Sequence, residues 1–444
     1  MIRVKNRMKF SNAEKNVGIE TFFSPFEGIG GKLRTTTDDF IVKEISQYPP
    51  AKEKGDCTLA EVTAINWETN TLIKEISDRL HISRNRISFA GTKDKRAKTT
   101  RLMSFYKIEK DKLSNIKIKD VSIDNIYYSD QKLKIGELTG NRFEVTIRNI
   151  KTGIKTKQIQ NIVSFIHKNR GFPNYFGIQR FGTIRPITHI VGKHIVHGDF
   201  QKAVMTYIAN PIVGEDENNY NLRERLQKTN NFSEALAVYP DQLNFEKAIL
   251  NKLVVKPDDF VGALTQLPKN LLTMFIYAYQ SYLFNKILSE RIERHLPINE
   301  AVVGDIILPV RNNVIDENEL IQTKEKNIEK VNKQITKGKA FVSGLLFGSD
   351  SKFSSGEMGE IEHKIVEKEK LDSRDFIIPE IPYLSSSGSR RPLLAPINNM
   401  EFKLIKDDFN KDKFALKLSF ELRKGSYATS LLREFMKSDD VRNY

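Results

Sequence analysis

The sequence predicts a mixed α/β (α+β) fold, on three observations. Leu59 to Ile65 reads as a strand, a helix follows over about 71–80, and Ile87 and Phe89 then alternate with Arg86 and Ser88 as in a short half-buried strand. Leu133 and Ile135, then Phe143, Val145 and Ile147, alternate with polar neighbours. Near the C-terminus, Phe414 to Leu422 alternates over a long strand and runs into Ala428, Leu431, Leu432 and Phe435 at helical spacing. Strands and helices are interleaved along the whole chain.

The totals bound the class. A chain of 444 residues holds two or three domains with sizeable cores. Hydrophobic residues make up 39% and charged residues 29%, the balance of a soluble globular protein rather than a disordered one. Lys and Arg number 71 against 56 Asp and Glu, a net charge of +15. That excess favours a polyanionic partner, RNA or DNA, ahead of an anionic membrane, and also fits a merely soluble basic protein. Cys57 is the single cysteine, which excludes a disulfide framework and a Cys-based zinc site. The N-terminal residues lack an apolar core and no run approaches membrane-spanning length, so an intracellular, cytoplasmic protein is expected. No repeat of solenoid type is visible.

Taken in order, Gly28, Gly30 and Gly31 mark a turn. Their spacing to Lys32 fits neither a Walker A loop nor a dinucleotide fingerprint. Arg34 to Ile45 reads as a turn entering a strand. Asn70 or Thr71 is the expected N-cap of a helix whose apolar face is Leu72, Ile73, Ile76 and Leu80. After Phe89, Gly91 lets the backbone turn, and Asp94 then stands as one carboxylate among Lys93, Lys95, Arg96, Lys98 and Arg101. That loop is either a charge-balanced hairpin tip or a site. In an extended segment Lys93 and Lys95 point away from Asp94, toward phosphates. Gly140-Asn141 is expected as a hairpin turn.

Ile159, Ile162, Val163 and Ile166 share one helical face. Gly171 to Gly182 then mixes aromatics, glycines, amides and Arg180, a composition suited to stacking bases and contacting phosphate. Residues 183–395 read as mainly helical with some strand. Within them 215–231 is expected to be loop-rich, 271–294 a long helix, and 324–339 a charged solvated segment. His194 and His197, with His189 nearby, have a spacing that places two ligands on one helix face. A structural or RNA-facing role is preferred to metal binding, because no cysteine lies near.

Several of these stretches resemble the TruD family of tRNA pseudouridine synthases. Gly91, Lys93, Asp94, Ala97 and Thr99 match its Gly-x-Lys-Asp…Ala-x-Thr signature, and 173–182 matches Pro-Asn-Tyr-Phe-Gly-x-Gln-Arg-Phe-Gly. Phe40, Val42 and Glu44 match Phe-x-Val-x-Glu, and 138–143 match Leu-x-Gly-Asn-x-Phe. Residues 279–285 are also similar, as is Phe-x-Leu-x-x-Gly-Ser-Tyr-Ala-Thr from Phe420 onward. Arg101 stands where the family usually has Gln, Tyr427 where it often has Phe, and Arg423 near a usual Pro.

The resemblance implies a largely antiparallel pseudouridine-synthase sheet domain interrupted by a large inserted α/β domain. The catalytic parts would be 1–170 and 396–444 and the insertion 171–395, with RNA in a basic cleft between them. It implies isomerisation of a tRNA uridine to pseudouridine, at position 13, with Asp94 as nucleophile. Phe40, Asn141, Phe143 and Tyr427 would contact the substrate, and Lys93, Lys95 and Arg180 the RNA. The chemistry asks for no cofactor and no metal. The expected partner is tRNA, not a membrane, and a monomer is favoured. Two other readings stand beside it: a non-catalytic RNA-binding protein of the same fold, and a metal-dependent RNA-processing enzyme built on His189, His194 and His197.

Overall fold

A computed structural model describes residues 11–312 and 314–444; the N-terminal residues read above for a leader lie outside them in large part. The chain divides into two units. One is Ser24–Phe172 with Ala395–Tyr444; the other is Pro173–Leu394 with the residues up to Phe23. The earliest described residues therefore belong with 173–394, whereas the sequence reading put them with the sheet.

Strand-forming alternation builds the first unit. Among the described residues its sheet has ten strands. In spatial order these are Val121–Ser129, Cys57–Ile65, Lys98–Tyr106, Phe40–Ser46, Leu138–Ile150, Phe414–Arg423, Leu394–Lys406 and Gly171–Pro173. Gly30–Lys32 adds to Leu138–Ile150, and Ile87–Phe89 to Lys98–Tyr106. The sheet is mostly antiparallel, with Phe40–Ser46 and Lys98–Tyr106 running parallel. The late strand Phe414–Arg423 pairs with Leu138–Ile150 in the register Leu418↔Val145, Phe420↔Phe143 and Leu422↔Asn141.

Two helical clusters cover one face of this sheet. Thr156–Lys168 and Ala428–Met436 bury Ile159, Ile162, Ile166, Leu431, Leu432 and Phe435 with Phe40, Phe143 and Phe420. Thr69–Leu80 buries Leu72 and Ile76 with Val62, Ala64, Met103 and Phe105. Register fixes what lies between them. Glu44 faces Asn141, Val42 is level with Thr99, and Arg101 faces Val62, so a polar group stands on the same face as both cores.

Two local expectations are corrected here. Gly140 and Asn141 do not form a hairpin turn; they lie inside Leu138–Ile150, paired on both sides. Glycine is needed because a Cβ at 140 would stand 2.1 Å from the Leu422 carbonyl oxygen. The N-cap of Thr69–Leu80 is Glu68, whose carboxylate accepts from the N–H groups of Asn70 and Thr71 at 2.9 and 2.8 Å.

The second unit is mainly helical around Lys269–Glu293, which crosses Thr188–Val196 closely. A Cβ on Gly192 would be 2.0 Å from the Phe275 carbonyl oxygen. A small sheet among the described residues runs Val314–Ile315, Ile306–Arg311, Ala340–Leu346, Ser389–Pro392, with Ile321–Gln322 also on Ile306–Arg311. The region expected to be loop-rich contains the helix Glu217–Thr229, capped by Asp216. Its apolar inward face is narrow, which hid it from periodicity. The segment 324–339 contains the amphipathic helix Ile328–Thr336, which buries Ile335. A short pattern also recurs. Asp199-Phe200, Asn231-Phe232 and Asp259-Phe260 each cap a helix, at 3.0, 3.1 and 2.8 Å, and each is followed by a buried alanine, Ala203, Ala235 and Ala263. The pattern is too short to show as a solenoid period.

Candidate active site

Asp94 lies in the irregular loop between Ile87–Phe89 and Lys98–Tyr106, with its side chain 52% exposed. Arg34 Nη2 donates to Asp94 Oδ2 at 3.1 Å. Among the described residues no donor reaches Oδ1, so one carboxylate oxygen is held and the other is open. Arg34 sits just ahead of the Phe40–Ser46 strand with a left-handed backbone, φ 54°. Such a conformation costs an ordinary residue about 1–2 kcal/mol, so surrounding contacts must hold it. The N–H of Leu33 donates to the Asn443 carbonyl at 2.7 Å, and the Arg34 guanidinium lies 4.0 Å from the Phe40 ring centroid. Burial lowers the pKa of Arg34, Asp94 opposes that shift, and Arg96 adds to it.

Beneath the loop is a buried polar group. Lys93 Nζ donates to Glu44 Oε2 at 2.6 Å, with side chains 4% and 1% exposed. Ser46 Oγ donates to the other Glu44 oxygen at 2.7 Å. Burial lowers the pKa of Lys93, with Glu44 opposing. Lys93 therefore does not reach outward to a phosphate, as its alternation with Asp94 predicted. The loop is not an extended strand, and a carboxylate on the neighbouring strand captures the ammonium. Lys95 is exposed on the same loop.

Arg101 is buried beside this pair. It donates to Thr69 Oγ1 at 2.8 Å and to Thr99 Oγ1 at 3.1 Å. Burial lowers its pKa to about 10, opposed by the charges of Glu44 and Glu68. Arg101, where the family usually has Gln, is thus part of the buried floor beneath the Asp94 loop.

Two of the three aromatic residues expected at the site, Phe40 and Phe143, pack together with Phe420. The Phe40 and Phe143 rings meet edge to face at 6.1 Å, and Phe143 lies on Phe420 at 5.3 Å and 20°. Phe143 is 7% exposed and Phe40 1%, so both are core residues. Asn141 Oδ1 is buried and has no hydrogen-bond partner. An unsatisfied buried acceptor is costly, and here it stands opposite Glu44. Tyr427 is half-buried at the N-cap position of Ala428–Met436, in the same unit.

Arg180 belongs to the other unit, in the turn Ile178–Arg180, where its guanidinium lies 6.0 Å from the Tyr277 ring. His189 is buried, packed edge-on to Phe181 and stacked on Tyr282, each at 5.2 Å. Among the described residues no three His, Cys, Asp or Glu side chains come together as a metal-binding group. No helix of the described residues is long and apolar enough to cross a membrane.

Asp94, Phe40, Asn141 and Phe143 are thus gathered in one unit. Sequence reasoning missed Arg34, Glu44, Thr69 and Arg101 as parts of the site. Glu44 and Thr69 stood inside patterned stretches and carried a signal; Arg34 carried none. Chemically, the arrangement offers an open carboxylate oxygen with a cation on its second oxygen, a nearly buried aromatic ring, and an amide acceptor in want of a donor.

Known proteins match nearly the whole of this chain. The model of the family described as tRNA pseudouridine synthase D (TruD) matches residues 16–435. A Methanococcoides burtonii protein named "Probable tRNA pseudouridine synthase D" is 41% identical over 97% of this chain and 98% of its own length. A Pyrococcus abyssi protein of the same name is 35% identical over 94% and 98%. A crystal structure of a Methanosarcina mazei protein assigned to tRNA pseudouridine synthase D superposes with a TM-score of 0.87 at 38% identity, covering 97% of this chain and 99% of that one.

Proposed function

The chain belongs to the tRNA pseudouridine synthase D family, and on that premise we propose that it isomerises a uridine of tRNA, at position 13, using Asp94 as the nucleophile. The observation that carries the reading is the Asp94 carboxylate itself, held by Arg34 through Oδ2 and open at Oδ1 on an accessible loop.

The base must leave the helix stack before a protein carboxylate can reach it. Asp94 Oδ1 then bonds carbon, at C1′ of the ribose or at C6 of the uracil. In the first route the C1′–N1 bond breaks and the uracil departs with the electron pair on N1. The ring turns, its C5 bonds C1′, and the Asp94 ester is released. In the second, Asp94 bonds C6 and the C5–C6 pair moves onto the C5/O4 enolate; the C1′–N1 bond breaks, the ring turns, C5 bonds C1′, N1 takes up a proton, and Asp94 leaves C6 as the C5–C6 double bond re-forms. Both end with loss of the C5 proton and neither changes the redox state. Arg34 steadies the second oxygen of the carboxylate throughout. Phe143 supports the uracil face, and Asn141 Oδ1 accepts from the uracil N3–H, which supplies the donor it lacks. Phe40 acts one layer behind, fixing Phe143 and Arg34. Tyr427 borders the pocket. Lys95 and Arg180 contact the RNA backbone.

The test is tritium release from tRNA carrying 5-tritiated uridine, followed by mapping of the pseudouridine. Asp94→Asn keeps shape and removes charge. It should abolish release while tRNA affinity stays within a few-fold. A folded, tRNA-binding Asp94→Asn protein that still made pseudouridine would end the assignment.

A further inference from the structure

We propose that Thr69 and Arg101 are positioning residues for the Asp94 loop, acting through one hydroxyl group. The proposal rests on the role of Asp94 given above.

Thr69 is the first residue of the helix Thr69–Leu80 and is 1% exposed, so it does not meet the substrate. Its Oγ1 accepts from the backbone N–H of Lys93 at 3.1 Å and from Arg101 Nη1 at 2.8 Å. Its own O–H donates to the Lys93 carbonyl at 3.5 Å. A hydroxyl has two acceptor positions and one proton; both acceptor positions are filled, and the proton has only the long 3.5 Å contact to the Lys93 carbonyl. The order of events follows from donor chemistry. Neither the amide nor the guanidinium can accept, so the two of them occupy both lone pairs. The Thr69 proton is thereby turned toward the remaining partner, the Lys93 carbonyl. Arg101 thus sets the rotor, and the rotor brackets both polar groups of the residue that precedes Asp94.

Beside it, Arg34 holds the Asp94 side chain and the Ala97 N–H donates to the Lys95 carbonyl, but neither fixes the Lys93 backbone. The stretch lies outside every strand and helix, and Lys93 is otherwise fixed only through its side chain on Glu44 among the contacts described. Arg101 is itself held on the strand Lys98–Tyr106 by the Thr99 hydroxyl at 3.1 Å. A rigid strand and a helix start therefore meet at one oxygen beneath the nucleophile. Misplacing a reacting group by about 1 Å costs on the order of 10²-fold in rate. Holding the backbone beside Asp94 is accordingly a contribution to turnover that tRNA binding does not share.

Thr69→Val keeps the shape and removes the hydroxyl; Thr69→Ser restores it. Single-turnover tritium release, counted per folded molecule, should fall about 10–100-fold in Thr69→Val. Its tRNA Kd should stay within about twofold, and Thr69→Ser should recover the rate to within about threefold. Arg101→Met, which removes the donor, should slow turnover in the otherwise wild-type chain but add nothing in the Thr69→Val background, because the two act through the same oxygen. If Thr69→Val does not fold, the split between rate and Kd is read from Arg101→Met alone. A wild-type rate in Thr69→Val, a Thr69→Ser protein as slow as Thr69→Val, or independent multiplication of the two effects would overturn the proposal. An inactive Asp94→Asn beside a fast Thr69→Val would overturn it alone, whereas an active Asp94→Asn would remove the functional reading beneath it.

Discussion

Replacing Lys93 by Met separates the two roles this lysine has been given. In the structure its ammonium is 2.6 Å from Glu44, with both side chains almost wholly buried. Met is close in length and carries no charge. Glu44 would keep the Ser46 hydroxyl at 2.7 Å and the more distant field of Arg101, but lose its direct counter-ion. Breaking a buried pair in this way costs about 3–5 kcal/mol, because the surviving charge is left uncompensated. At about 2–4 °C per kcal/mol for a unit of this size, melting should fall by about 6–20 °C. Lys93→Met with Glu44→Leu removes both charges and should recover most of that loss. The assay is thermal melting of the single and double variants at pH 7, run beside tRNA affinity at several salt concentrations. Lys95→Ala supplies the contrast. An exposed phosphate contact leaves melting unchanged and lowers the salt slope by about one. If Lys93→Met behaved like that, with melting unmoved and the slope reduced, the buried-pair account would be refuted.

Phe143→Ala should destabilise its unit by about 3–5 kcal/mol, since the ring is packed between Phe40 and Phe420. Turnover per folded molecule should also fall if the ring meets the uracil; a normal rate in the folded fraction removes that contact. His189 supplies a pH dependence. Burial lowers its pKa from 6.5 to about 4, against a hydrogen bond it donates to the Asn16 backbone and the charge of Glu369, while Lys193 adds to the lowering. Below about pH 6.5 the unfolded chain takes up a proton that the folded chain refuses until about pH 4, so stability falls with pH through that window. The loss between pH 7 and pH 5 should be about 2 kcal/mol, measured by urea unfolding, and should vanish in His189→Phe.

Much of this molecule was legible in its sequence. The strands around Cys57–Ile65, Ile87–Phe89 and Phe414–Arg423, and the helices Thr156–Lys168 and Ala428–Met436, are read from apolar periods of two or of 3.6, which a few neighbouring residues carry. Asp94 stood out for a similar reason: its chemistry belongs to a single side chain in a distinctive loop. Where local signals misled, tertiary contact had changed their meaning. Gly140-Asn141 has turn composition, yet a strand needs glycine there because the Leu422 carbonyl crosses at 2.1 Å from where a Cβ would stand. Glu217–Thr229 is helical although its polar surface masks its period.

The rest was decided by the fold. Arg34 precedes Asp94 by 60 residues, and no feature of its own stretch names its partner. Lys93 reads as outward-facing until the parallel pairing of Phe40–Ser46 with Lys98–Tyr106 brings Glu44 beneath it. Thr69 lies just ahead of the expected N-cap, Asn70 or Thr71, and nothing marks its hydroxyl until it is found between Arg101 and the Lys93 backbone. Side-chain type and local period are properties of neighbours in the chain. Which charge meets which is a property of strand register, where a slip of one residue would turn Glu44 to the opposite face and leave Lys93 without a partner.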